Sequence, residues 1–179
     1  MNHTDYAHRQ ADIILNSNHD LKKEIEQAIQ DITTDEIDSA FEEENRARVA
    51  EGKKPRKGKQ ATVNAIFRQR FEQYEWECEK NVFNDPTNDL AIDFWKRDVG
   101  VDVAFTHRSF IGGDLLRLQA AAEVARIMKV GVYICPMKAF AKGISPRDAS
   151  SMVNYERTKW YLESFYPVLT VPILLVGLR

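Results

Sequence analysis

Residues 90–105, Leu-Ala-Ile-Asp-Phe-Trp-Lys-Arg-Asp-Val-Gly-Val-Asp-Val-Ala-Phe, alternate polar and apolar positions on either side of a short polar break. Such a pattern predicts two strands joined by a tight turn. If the turn is centred between Arg97 and Asp98, an antiparallel hairpin sets Asp93 directly across from Asp102, with Cβ atoms roughly 5 Å apart. The two acids then share one face, and alternation sends Ile92, Phe94, Val101, Val103 and Phe105 to the other, which is predicted to pack on the core. Like charges opposite one another in a ladder repel unless something positive sits between them. A divalent cation is the simplest candidate, because hard oxygen donors at this spacing suit Mg²⁺.

The chain has 179 residues, enough for one domain with a substantial core, and is read as a single domain over 1–179. Its net charge of −2 hides a segregation along the sequence. Six acids and no base lie between Asp35 and Glu44, whereas Arg46 to Arg70 carries nine Lys or Arg residues against one acid, Glu51. The centre of that run, with Lys53, Lys54, Arg56, Lys57 and Lys59, is predicted to be a flexible loop suited to phosphate contacts; alternatively it is a solvated linker that balances the acidic helix before it. Cys78 and Cys135 have neither metal-ligand nor redox spacing, so zinc and a disulfide framework are not expected. The polar start, Met1 to Gln10, and the lack of any apolar run near 20 residues lead to the expectation of a soluble, cytoplasmic protein with no membrane association.

Helical spacing predicts a helix after Asp20 through Ile32. Thr33 with Glu36 forms a capping-box pattern for a second helix that Gly52 can end, which makes residues 1–52 an N-terminal helical part. Val63, Ile66, Phe67, Phe71 and Tyr74 predict a helix over about 61–76, with a short strand near 81–83 and a turn at 84–88 before the hairpin. Gly112-Gly113 followed by Asp114 as a cap predicts a helix carrying Leu115, Leu118, Ala122, Ala125 and Met128 inward. A strand at 130–135, a helix at 151–165 and a buried strand at 171–176 complete an α/β core over 61–179.

These residues resemble the PD-(D/E)xK nucleases and, within them, the type II restriction endonucleases of the BamHI/BglII type. The likeness rests on the Gly-Lys-rich loop, Asn64, Trp76-Glu77, Asp93-Phe94-Trp95-Lys96, Val99 through Phe105, Asp114-Leu115-Leu116, Val130 through Pro136 and Val171 through Gly177. It implies a central mixed sheet flanked by helices, with the N-terminal helices added. It also implies Mg²⁺ held by Asp93, Asp102 and the backbone carbonyl of Val103, and catalysis by Asp93 and Asp102 with a further acid from the preceding helix. Glu72, Glu75 and Glu77 are the choices for that acid, and Glu75 is favoured because it follows Phe71 by about one turn. Double-stranded DNA is the implied substrate and a homodimer the implied assembly, since symmetric recognition needs two copies.

One departure is plain. The family's third site residue, Lys, Glu or Gln, falls on Ala104 here. Arg117, Gln119 and Thr106 are the side chains from which a replacement is expected, and the residues do not choose among them. His107 and Arg108, directly after the second strand, are placed where a loop reaches DNA, together with the Lys53 to Lys59 cations. Ala104 also supports a different class of function, a catalytically silent DNA-binding or assembly subunit of the same fold.

Overall fold

In the computed structural model, which describes residues 1–85 and 87–179, the hairpin lies within a six-stranded mixed sheet. The strands are β1 (His3–His8), β2 (Glu77–Asn81), β3 (Ala91–Lys96), β4 (Val99–Val103), β5 (Val130–Pro136) and β6 (Ile173–Leu178), in the spatial order β1-β6-β5-β4-β3-β2. β4, β5 and β6 run parallel, while β1, β3 and β2 extend the two ends antiparallel. All seven residues of β5 are buried, as expected for a strand covered on both faces.

Two apolar layers cover the sheet. On one face pack α1 (Ala11–Ser17), α2 (His19–Gln30), α3 (Thr34–Ala50), α4 (Gln60–Gln73) and α6 (Lys138–Ile144), against Phe94, Val99, Val101, Val103, Val130, Val132 and Ile134. The other face holds α5 (Ile111–Gln119), its continuation through a π turn at Ala120–Val124, and α7 (Tyr155–Ser164), against Ile92, Ala104, Tyr133, Cys135, Ile173 and Leu175. The expected α/β class with a mixed sheet is observed. Thr33 caps α3 by accepting the Glu36 N–H at 3.1 Å, and Asn154 caps α7 by accepting the Arg157 N–H at 3.0 Å.

Three local readings differ. Residues 3–8, assigned to the helical part, form an edge strand paired with β6; their polar alternation carries little hydrophobic signal, and the pairing is decided by the partner. α5 begins at Ile111, so Gly112 and Gly113 lie inside its first turn and Asp114 is not its cap. β2 spans 77–81 rather than 81–83.

Glycines set the depth of α5. A Cβ at Gly100 would lie 2.7 Å from Met128 Sδ, and one at Gly131 3.3 Å from Leu118. The paired glycines of β4 and β5 therefore make the hollow that receives Leu118 and Met128 and draws α5 down onto the sheet.

On the opposite face Phe71 of α4 is fully buried, stacked on Phe94 with ring centroids 4.4 Å apart and edge-on to Trp76 at 5.2 Å. This contact fixes α4 above the residue that follows Asp93. Phe71→Ala is expected to cost about 3–5 kcal/mol, read as a lower midpoint in urea unfolding; a loss below about 1 kcal/mol would show that α4 is not anchored there.

Candidate active site

The β3–β4 ladder runs through Lys96↔Val99, Trp95↔Gly100 and Phe94↔Val101, the register set by a turn between Arg97 and Asp98. It stops at the next step, where the acids stand. Instead of continuing the ladder, the Asp93 N–H donates to Asp102 Oδ1 at 3.1 Å and the Val103 N–H donates to Asp93 Oδ2 at 2.8 Å. Two backbone donors are thus satisfied by two carboxylates, each from the opposite strand.

The break overturns the predicted facing: the two acids do not share one face, Asp93 bordering a cleft under α4 while Asp102 is buried against Arg117 of α5. Ile92 packs in the α5 layer and Phe94 in the α4 layer, although simple alternation puts them on one face. The irregularity continues into β2. The pairs Cys78↔Phe94 and Lys80↔Ile92 keep one register, yet Glu79 between them has φ 54°, a left-handed conformation that costs a non-glycine residue energy. Such local twists re-aim side chains at sheet edges.

Asp93 is half-buried and borders an open cleft of about 390 Å³. The cleft is walled by Ala61, Asn64, Ala65 and Arg68 on one side of α4, by Glu79 of β2, and by Phe94 and Val103. The small side chains of Ala61 and Ala65 leave this space open. Arg68 reaches Glu79 at 3.0 Å and Glu72 at 3.1 Å. Burial raises the Asp93 pKa, the Val103 N–H and the Arg117 charge oppose that rise, and the Asp114 and Glu79 charges add to it.

Asp102 lies behind it, only 1% exposed, beside Tyr133 in the parallel register. The positive charge beside Asp102 is a side chain that does not bridge the two acids: Arg117 of α5 donates to Asp102 Oδ2 from Nη2 at 2.8 Å and from Nε at 3.2 Å, and makes no hydrogen bond or ion pair with Asp93 among the described residues. Arg117 also pairs with Asp114 at 3.3 Å, and the Tyr133 hydroxyl donates to Asp114 at 2.7 Å. Burial pushes the Asp102 carboxyl up to about 7, the Arg117 charge holding it below what burial alone would give. For Arg117 burial lowers the pKa, but the charge and hydrogen bond of Asp102 together with the Asp114 and Asp93 charges outweigh it, leaving a net rise.

Of the three side chains from which a replacement at the Ala104 site is expected, Arg117 touches an acid of the pair. Gln119 instead bonds Thr170 and Val171, and Thr106 is exposed in the loop after β4. Glu75 sits in the turn past α4, exposed and outside the cleft; the acid that borders the cleft beside Asp93 is Glu79. Reading β2 as 77–81 would have found it, since the strand register then sets residue 79 beside residue 93. Asn64 and Arg68 follow from the helical spacing of 61, 64, 65 and 68.

The basic loop is partly neutralised. Lys53 pairs with Glu51, Arg56 with Glu44 and Lys59 with Asp38, whereas Lys54 and Lys57 have no ion-pair partner among the described residues. His107 and Arg108 are exposed and tied locally, His107 Nδ1 to the Ser109 hydroxyl at 2.8 Å and Arg108 to the Ser150 carbonyl at 3.4 Å. Both cysteines are free, and among the described residues no helix is long and apolar enough to cross a membrane.

A hard divalent cation needs oxygen donors. Among the described residues no three His, Cys, Asp or Glu side chains converge as a metal cage. Asp93, with Oδ1 free of hydrogen bonds among the described residues, and Val103 border one solvent-open cleft. That set fits a Mg²⁺-type ion, which keeps several waters and takes few protein ligands. Both Asp102 oxygens, by contrast, are engaged.

A raised carboxyl pKa means that the folded state holds a proton the unfolded chain has lost, so the Asp102 contribution to stability falls as pH rises from 3.8 to about 7. The stability advantage of the wild-type chain over Asp102→Asn is therefore expected to be larger at pH 5 than at pH 8 by urea unfolding; an equal difference at both values would mean that Asp102 titrates as an ordinary carboxylate.

The fold and sequence can be set beside known proteins. The family model described as restriction endonuclease BglII/BglIII matches residues 4–178. No curated protein matches the chain. Among solved structures, the crystal structure of restriction endonuclease BglII complexed with a DNA 16-mer superposes with a TM-score of 0.73 at 23% identity, covering 100% of this chain and 78% of that one. A match over nearly every residue of the chain, on a mixed sheet of the same fold, leads to one conclusion: the chain belongs to the BglII/BglIII restriction endonuclease family of type II site-specific deoxyribonucleases.

Proposed function

We propose that this chain is a Mg²⁺-dependent restriction endonuclease that hydrolyses phosphodiester bonds at specific sequences in double-stranded DNA, working as a homodimer on a two-fold symmetric site. The observation that carries this reading is the Asp93 carboxylate, turned by the break in the β3–β4 ladder into an open cleft that Val103 also borders. The DNA bound to the structurally similar BglII supports duplex DNA as the substrate.

Asp93 and the Val103 carbonyl are the groups that would hold the cation. When bound, a divalent metal neutralises charge on the phosphate and acidifies a water for attack. The chain's own residues do the rest. Asp93 offers an anionic oxygen whose orientation is fixed by the Val103 N–H, and the cleft beneath α4 admits the backbone of a nucleic acid strand. Arg68 pairs with Glu79 and offsets its negative charge beside an incoming phosphate. Lys54 and Lys57, exposed and without carboxylate partners among the described residues, supply contacts to phosphates further along the duplex. His107 and Arg108 belong to the same binding surface in this reading.

A second reading, a silent DNA-binding subunit, is favoured by Ala104 and by the engagement of both Asp102 oxygens with protein donors. Digestion of unmethylated phage DNA with Mg²⁺ separates the two: discrete fragments support the enzyme, and retardation without cutting supports the binder. Asp93→Ala is expected to abolish cleavage while leaving binding in Ca²⁺ intact; cutting retained by this variant removes Asp93 from the site. For the basic loop, replacing Lys54 and Lys57 together by Ala is expected to reduce the slope of log binding constant against log salt by about 0.9 for each phosphate that the variant no longer neutralises. An unchanged slope would mean that the loop does not meet the phosphates.

A further inference from the structure

The resemblance gives Asp102 the part of a metal ligand, but its surroundings are those of a buried structural ion. Its side chain is 1% exposed, Oδ1 accepts the Asp93 N–H, and Oδ2 accepts two donors from Arg117. Arg117 is held in turn by Asp114, Asp114 by the Tyr133 hydroxyl, and Tyr133 is the register partner of Asp102 on β5. The four residues therefore close a ring across β4, α5 and β5, with all but the outer edge of Arg117 and Asp114 shielded from water. Ala104, two residues past Asp102 and in the same layer as Tyr133, adds no polar group to it.

We propose that Asp102 and Arg117 form a clamp that aims Asp93, with Arg117 the positioning residue that performs from α5 the orienting task that Ala104 cannot; this inference rests on the nuclease reading of the cleft. A buried carboxylate keeps its charge and direction only if its lone pairs are met by charged or well-aligned donors. Arg117 meets that need with two nitrogens, and the anchored carboxylate then grips the Asp93 peptide at the point where the ladder breaks. Releasing Arg117 frees Asp102, relaxes the Asp93 and Val103 amides, and lets the Asp93 side chain swing away from the cleft. The cation is left to Asp93, the Val103 carbonyl and oxygens from outside the chain. In this arrangement lysine is a poor substitute for Arg117, because an ammonium cannot reproduce the two-nitrogen contact.

Three measurements on the full chain test the clamp. Amide hydrogen exchange compares the wild-type chain with Arg117→Met and Arg117→Lys. The Asp93 and Val103 amides are expected to exchange about 10- to 100-fold faster in the Met variant, with partial recovery in the Lys variant and no change in the β5 amides. Unaltered exchange at those two amides overturns the clamp, whether or not the chain cuts DNA. Mn²⁺ titration followed by electron paramagnetic resonance then compares Asp102→Asn with Asp93→Asn. Affinity is expected to fall only about 3- to 10-fold in the former, where an amide oxygen can still accept the Asp93 N–H although the Arg117 anchor is lost, and at least about 30-fold in the latter, where the carboxylate ligand itself is removed. An equal loss in both makes Asp102 a ligand and overturns the assignment. In cleavage assays Arg117→Met is expected to lower kcat with the KM for duplex unchanged, and a change confined to KM counts against a positioning role. A failure of the nuclease reading itself looks different: the wild-type chain then neither binds Mn²⁺ nor cuts, while amide exchange still decides the clamp.

Discussion

The structure depends on one exchange of hydrogen bonds. Where the β3–β4 ladder should continue past Phe94↔Val101, the peptide donors of Asp93 and Val103 turn instead to the side chains of Asp102 and Asp93. A broken ladder leaves backbone groups that must be satisfied or the sheet frays. Two short carboxylates satisfy them but place negative charge inside the protein, and the surrounding architecture follows from that charge. α5 is drawn onto the sheet over Gly100 and Gly131, and it brings Arg117 to the buried acid. Across the sheet, α4 is anchored through Phe71 on Phe94 and keeps an open cleft above the exposed acid.

The two faces of the sheet thereby do different work. On the α5 side charge is compensated within the protein, Asp102 against Arg117 and Arg117 against Asp114. A buried pair of this kind adds little net stability, because desolvation offsets most of the attraction, but breaking it strands a charge. On the α4 side charge is left for something outside the chain: Asp93 meets the cleft with one oxygen free among the described residues, and the basic loop at the start of α4 carries Lys54 and Lys57 without carboxylate partners among them. A carboxylate oxygen left free at an open cleft is an arrangement suited to a ligand from outside the chain.

Much of this is legible from residue order. The hairpin register follows from alternation and the Arg97–Asp98 turn, since both are local. The Thr33–Glu36 cap, the helix of residues 60–73 and the buried strand at the C-terminal end are likewise written in short-range periodicity. What escapes are features decided by a partner. β1 is an edge strand whose polar residues pair only because β6 is present. Glu79 is hidden because its strand carries a weak pattern that places it a few residues late, and because its φ of 54° breaks the alternation that periodicity arguments assume. The division of the basic loop into paired and free cations depends on α3 lying alongside it, so that Glu44 and Asp38 neutralise Arg56 and Lys59.

The sequence by itself determined which chemical groups the site contains: an acid in each strand of one hairpin, an alanine where a polar side chain is customary, and an arginine on the following helix. Those are properties of residue type and spacing. Only the tertiary structure decided how the two acids divide their roles. Burial is a property of what lies on top of a residue, and the cover for Asp102 comes from a helix that begins nine residues further along the chain at Ile111, held down by Leu118 and Met128 in a hollow made by glycines on two strands. No local pattern distinguishes Asp93 from Asp102; the packing of α5 on one face and the opening beneath α4 on the other do.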